Sequence, residues 1–117
     1  MSRIDWNTVK YFKSRHFVDD TNRAEPELIY SLDEARTILN VRIFPSTVPG
    51  ALARFDKDAK TSQHYAVGRK SKAADVFCEG VPIANFYTLL SLNLFNGIGI
   101  YLDTSGVDGK LWVMFHH

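Results

Sequence analysis

Apolar residues recur at helical spacing in two segments of the chain. In the first segment they fall on one face of a helix: Leu28, Ile29, Leu32, Ala35, Ile38 and Leu39. Pro26 suits the first helical turn, where its missing N–H is not needed. The pattern therefore predicts a helix over residues 26–39 and a second helix over residues 82–94, which Pro82 opens and Asn96-Gly97 ends.

Short apolar runs bounded by turn residues predict four strands. They cover residues 41–44, 73–78, 97–102 and 110–115. A turn over residues 105–109 separates the last two strands, which are expected to pair as an antiparallel hairpin. Helices and strands in separate segments favour an α+β fold, in which a small antiparallel sheet is flanked by helices, as a single domain over residues 1–117.

The composition is that of a soluble globular domain without disulfide bonds. Hydrophobic residues make up 45% and charged residues 23% of the 117, a balance typical of soluble globular domains. The formal net charge of +1 gives no strong attraction to nucleic acid or to an anionic membrane. The single cysteine, Cys78, excludes an internal disulfide and a multi-cysteine zinc site.

No targeting or membrane segment is evident in the sequence. The N-terminal residues lack the apolar core of a signal peptide, and no stretch approaches the roughly 20 apolar residues that cross a bilayer. We therefore expect a protein that is made in the cytoplasm and does not insert into a membrane. We also expect it to be a monomer and, given its near-neutral charge, to bind no nucleic acid.

Three positions carry candidate metal-binding chemistry: His64, Asp75 and the terminal pair His116-His117. Asp75 lies within an apolar run, where a carboxylate is costly unless it is paired or bound to a cation. It could equally face solvent by strand alternation or pair with Arg69, and His64 alone could be an ordinary loop residue. The two terminal histidines could be the remnant of a purification tag, although they continue an apolar strand directly.

Two of these candidates, His64 and Asp75, belong to a series of residues in the order of a known motif, Ser-x-His-x-x-Gly-x-Ala-x-Asp. The series is Ser62, His64, Gly68, Ala73 and Asp75. The strand 97–101 resembles a Gly-x-Gly-x-Tyr strand, and Trp112-Val113 with the terminal histidines resembles Trp-Val-His-x-Asp. The chain thus resembles the zinc D-alanyl-D-alanine carboxypeptidases and L-alanyl-D-glutamate endopeptidases, which cut peptidoglycan stem peptides and share a core with the hedgehog signalling domain. Residues 11–17 are similar to the start of phage-encoded members.

The resemblance implies a zinc ion held by His64, Asp75 and His116, with His117 as the alternative third ligand. A catalytic zinc keeps one position open for a water, lowers the pKa of that water to roughly 7 and polarises the scissile carbonyl. The chain differs from the family in the spacing of the first two ligands. His64 and Asp75 are eleven positions apart, which is more than the family's spacing between the same histidine and aspartate. The additional residues lie around positions 67–72.

The resemblance also implies a general base and a cation for the carboxylate of the substrate. His117 is the first candidate for the base, with Asp103 and Asp108 as alternatives. Arg54 is the first candidate for the cation, and Arg69 and Lys70 are the others.

The sequence is compatible with three functions. The first is a zinc-dependent peptidoglycan peptidase, a phage endolysin or virion-associated enzyme that acts on the cell wall after release or as part of a particle. The second is a catalytically inactive zinc-binding or structural phage module of the same fold. The third is an interaction domain that binds no metal.

Overall fold

The computed structural model describes residues 3–79, 84–101 and 110–117, in which two α-helices and a four-strand sheet are formed. In chain order the elements are α1 (Pro26–Leu39), β1 (Ile43–Pro45), β2 (Ala73–Glu79), α2 (Ala84–Ser91), β3 (Gly97–Tyr101) and β4 (Lys110–His116). These elements confirm the predicted α+β class. No helix in the described ranges is long and apolar enough to cross a membrane.

The sheet has the order β1-β2-β4-β3, and every neighbouring pair of strands is antiparallel. The predicted pairing of the last two strands is confirmed, with Gly97 opposite His116 and Tyr101 opposite Trp112. The predicted turn over residues 105–109 lies outside the described residues. β4 is central, because it pairs with β3 on one side and with β2 on the other.

The two helices follow the sequence pattern to different degrees. Helix α1 has the predicted bounds, begins with a proline and ends where Asn40 adopts a left-handed conformation with φ of 53°. Helix α2 ends at Ser91, before the predicted end at residue 94, because Asn93 adopts a positive φ of 59°. Its predicted start at residues 82–83 lies outside the described residues. Asparagine tolerates this conformation better than most residues, so it stops a helix that apolar spacing alone would extend.

The hydrophobic core lies between the helices and one face of the sheet. Alternate residues of the two central strands point into it: Ala74, Val76, Cys78, Val113 and Phe115. The Phe115 ring packs on Phe95, with ring centroids 4.5 Å apart, and on Phe86 from α2. The intervening residues Asp75, Met114 and His116 consequently share the opposite face.

The Cys78 thiol is predicted to be unreactive in the folded protein. The thiol is fully buried, and burial raises its pKa from 9.0 to about 12. A thiol-reactive disulfide reagent at pH 8 should modify Cys78 only after unfolding in urea, because the thiolate is the reactive form. The Cys78 thiol loses its proton at lower pH in the unfolded chain than in the folded chain. The free energy of unfolding should therefore fall as pH rises above 9.0 toward 12. Rapid modification without denaturant would contradict the burial.

Candidate metal centre

The structure brings His64 and Asp75 together across the eleven positions that separate them in sequence. The distance from His64 Nε2 to Asp75 Oδ1 is 3.3 Å. Asp75 is fixed by the backbone, since its N–H donates to the Ala51 carbonyl at 2.8 Å and its carbonyl accepts from the Ser46 N–H at 3.1 Å. The His64 backbone N–H donates to Ser62 Oγ at 3.1 Å. Both sequence-predicted residues therefore belong to one site.

Two atoms of this pair are buried without a hydrogen-bond partner: His64 Nδ1 and Asp75 Oδ1. The side chains are only 7% and 15% exposed, so water does not replace the missing partners freely. Leaving a buried polar atom unsatisfied costs about 1–3 kcal/mol. Imidazole nitrogen and carboxylate oxygen are the donors that zinc prefers in mixed sites. The facing atoms Nε2 and Oδ1 thus have the chemistry that a bound divalent cation requires, whereas the unpartnered Nδ1 is the other nitrogen of the ring.

His116 lies on the same sheet face as Asp75 but does not reach the pair. The residue directly opposite Asp75 is Met114, while His116 lies opposite Ala73 on one side and Gly97 on the other. Its ring covers Gly97, and its Nδ1 is 3.2 Å from the His117 carbonyl. Within the part of the chain that the structure describes, no three His, Cys, Asp or Glu side chains form a group able to hold a metal ion.

His117 occupies the opposite face of the sheet. Its Nε2 lies 2.9 Å from the Leu94 carbonyl and 3.0 Å from Ser31 Oγ, and its ring packs against Phe95. Neighbouring residues in an extended strand point to opposite faces, so His116 and His117 cannot both face Asp75. The predicted role of His117 as the general base, or as the third ligand, therefore does not agree with its position. Asp103 and Asp108 lie outside the described residues.

Arg54 lies beside Asp75 in an open cleft of about 560 Å³, which Trp112 and the loop 48–56 also line. The guanidinium makes a bidentate contact with Asp56, from Nε to Oδ1 at 3.1 Å and from Nη2 to Oδ2 at 2.8 Å. This hydrogen bonding raises the pKa of Arg54 and lowers the pKa of Asp56. The predicted substrate-binding cation thus lies in the cleft of Asp75, and Asp56 orients its guanidinium. Arg69 and Lys70, the alternatives, line a different cavity.

Asp19 is a residue of the site that sequence reasoning missed. Its carboxylate accepts hydrogen bonds from the backbone N–H groups of Gly50, Leu52 and Ala53, at 2.9 to 3.2 Å. Gly50 has φ of +90°, which favours glycine. Asp19 therefore shapes the loop that carries Arg54 into the cleft. Its partners lie more than thirty positions away in sequence, and no local pattern indicates them.

Comparison with known proteins adds no assignment. The chain matches no family model, no curated protein and no solved structure. The peptidase resemblance and the hedgehog-like fold accordingly stay hypotheses that rest on the residues of this chain.

Gly97→Ala is predicted to disturb His116 while Gly99→Ala is tolerated. A Cβ at Gly97 would overlap the His116 ring, whereas a Cβ at Gly99 would meet Met114 Cε at an ordinary 3.6 Å. We expect Gly97→Ala to reduce the free energy of unfolding by about 1–3 kcal/mol and to shift the His116 ring resonances in NMR spectra. Gly99→Ala is the matched control and should change neither quantity appreciably. Equal effects of the two substitutions would contradict the placement of the His116 ring.

Proposed function

We propose that this chain is a zinc-dependent peptidoglycan peptidase, which hydrolyses a peptide bond of the stem peptide as a D-Ala-D-Ala carboxypeptidase or an endopeptidase. The observation that carries the proposal is the buried His64–Asp75 pair, in which an imidazole nitrogen and a carboxylate oxygen, both atom types that bind zinc, lie 3.3 Å apart. The motif resemblance assigns the same two residues to zinc. A phage endolysin or a virion-associated hydrolase is the context that the resemblance favours.

His64 and Asp75 would hold the metal, and His116 is the proposed third ligand on the same sheet face. The bound zinc would supply an activated water and polarise the scissile carbonyl. The His116 ring would have to leave its place over Gly97 to join the pair. Met114, opposite Asp75, offers a thioether, which is not among the usual ligands of zinc in proteins.

Arg54 is the proposed binding group for a carboxylate of the stem peptide. Its bonds to Asp56 use Nε and Nη2, so the Nη1 edge of the guanidinium is directed away from that contact. Asp56 orients the planar group, and a planar guanidinium recognises a carboxylate through paired N–H donors. The Asp19 carboxylate holds the loop that positions Arg54, so binding and metal chemistry would meet in one cleft.

A non-catalytic zinc-binding or structural module of the same fold is the second candidate. It is favoured by two observations on the described residues: three ligands do not converge, and the Arg54 side chain is already paired with Asp56. In such a module the His64–Asp75 pair would serve stability rather than hydrolysis.

The two candidates differ in one assay. Zinc-loaded protein is incubated with purified sacculi, and released stem-peptide fragments are identified by mass spectrometry beside a chelator-treated sample. Zinc-dependent release supports the peptidase. Bound zinc without any release supports the non-catalytic module, and a protein that neither binds zinc nor cleaves would contradict both.

A further inference from the structure

A second cavity, separate from the cleft of Arg54, is lined by four positively charged residues. Its volume is about 470 Å³, and its lining consists of Arg3, Asn22, Arg23, Ala66, Gly68, Arg69 and Lys70. This lining contains no acidic side chain. The net charge of the chain is only +1, whereas the lining of this cavity has four basic side chains and no acidic one.

Arg69 is oriented before any ligand binds. Its Nη2 donates to the Ser62 carbonyl at 2.6 Å and its Nε donates to the Tyr65 carbonyl at 3.1 Å. These acceptors carry no net charge, so they fix the guanidinium without neutralising it. A fixed cation loses less conformational entropy when it binds an anion than a freely rotating one.

Arg23 is held against the same loop. Its carbonyl accepts from the Ser71 N–H at 2.7 Å, and its guanidinium carbon lies 5.7 Å from the centre of the Phe55 ring. The ion pairs of the described residues include those that join Arg42 to Glu79, Arg54 to Asp56 and His64 to Asp75. None of them involves Arg3, Arg23 or Arg69, so three guanidinium groups meet at the cavity with no carboxylate paired to them.

We propose that this basic cavity binds the phosphate groups of a polyol-phosphate polymer. Several neighbouring cations repel one another, and a chain with one phosphate per unit relieves that repulsion better than a single monoanion does. Guanidinium groups bind phosphate oxygens through paired, charge-assisted hydrogen bonds. Proteins that bind single-stranded nucleic acid stack the bases on aromatic side chains, and no aromatic residue lines this cavity. The site therefore suits phosphates that carry no bases.

The choice of a cell-envelope polymer rests on the proposed function, whereas the phosphate chemistry rests on the cavity alone. Phe55 contacts Arg23 and also lines the cleft of Asp75, so the two sites adjoin. A wall polymer held in the basic cavity would keep the cleft close to the stem peptides of the same wall.

The test is calorimetric titration of the zinc-free chain with a short synthetic poly(glycerol phosphate), at fixed ionic strength. The double variant Arg3→Gln/Arg23→Gln should bind about tenfold more weakly than the wild type. The control Lys57→Gln/Lys60→Gln removes the same charge at exposed positions outside the cavity and should bind like the wild type. Circular dichroism melting of each variant verifies the fold, and the Gly68 amide resonance should move during titration of the wild type.

Equal weakening in the two double variants would overturn the proposal, and so would the absence of binding. Single-stranded DNA with the same number of phosphates is a further arm, and equal or tighter binding of that DNA overturns the choice of polymer. Equal affinity for inorganic phosphate would likewise reduce the site to a simple anion site. Polymer binding by a protein that fails to cleave sacculi would support this inference while contradicting the peptidase.

Discussion

Under the proposed function, the Asp75→Asn variant is expected to lose peptidoglycan cleavage by more than about a hundredfold, because a proposed zinc ligand is removed. Asparagine has almost the same shape as aspartate, so the contact with His64 and the backbone bonds to Ala51 and Ser46 can persist. What is lost is the negative charge that a dication requires of its oxygen ligand. Release of stem-peptide fragments from sacculi by zinc-loaded protein measures the effect.

Asp58→Asn is the matched control for this substitution. It makes the same change of charge at an exposed position of the short 3-10 helix 57–59 and should cleave at the wild-type rate. Thermal melting separates lost chemistry from lost structure, since Asp75→Asn should melt as a folded protein. Undiminished cleavage by Asp75→Asn would contradict the assignment of this carboxylate to the metal.

The Asp19→Ala variant is expected to show the largest loss of stability among the changes near the cleft, about 2–4 kcal/mol in the free energy of unfolding. The substitution leaves the N–H groups of Gly50, Leu52 and Ala53 without their carboxylate acceptor. Leu52 and Ala53 are each 2% exposed, so water cannot readily take its place. Urea unfolding followed by circular dichroism measures the change.

Asp20→Ala is the control for this loss of stability, because it removes a neighbouring aspartate that makes fewer hydrogen bonds. The Asp20 side chain accepts a single exposed hydrogen bond, from the Asn22 N–H at 3.0 Å, as the cap of a short 3-10 turn. Its loss should cost about 0.5–1 kcal/mol. Similar losses for the two variants would mean that Asp19 is only another local cap. A larger loss for Asp19→Ala, together with weaker cleavage, agrees with its long-range role in holding the Arg54 loop.

The elements of the fold were accessible from the sequence because each has its own periodicity. Apolar spacing gave the bounds of α1, and apolar runs gave β2, β3 and β4 to within a residue or two of their observed ends in the described ranges. Strand alternation also implied that consecutive residues face opposite sides. Applied to the last two residues, that rule would have excluded a shared site for His116 and His117 from the sequence alone.

The long spacing between His64 and Asp75 illustrates what sequence could not decide. The N–H of Lys72 donates to the Gln63 carbonyl at 2.7 Å, so residue 72, just before β2, lies beside residue 63. The additional residues therefore belong to a loop whose two ends meet, and His64 and Asp75 lie 3.3 Å apart despite their long spacing. Arg69, the alternative partner that the sequence offered for Asp75, does not pair with it. The Arg69 side chain donates hydrogen bonds to the carbonyls of Ser62 and Tyr65 instead.

The most direct test of the metal centre is the zinc content of the purified, zinc-loaded chain after dialysis, measured by mass spectrometry. The wild type should retain about one zinc per chain. His64→Ala and Asp75→Asn should retain none, whereas His16→Ala, which changes an exposed histidine outside the site, should retain the wild-type amount. A wild type without zinc, or zinc retained in the His64 and Asp75 variants, would contradict the proposed centre.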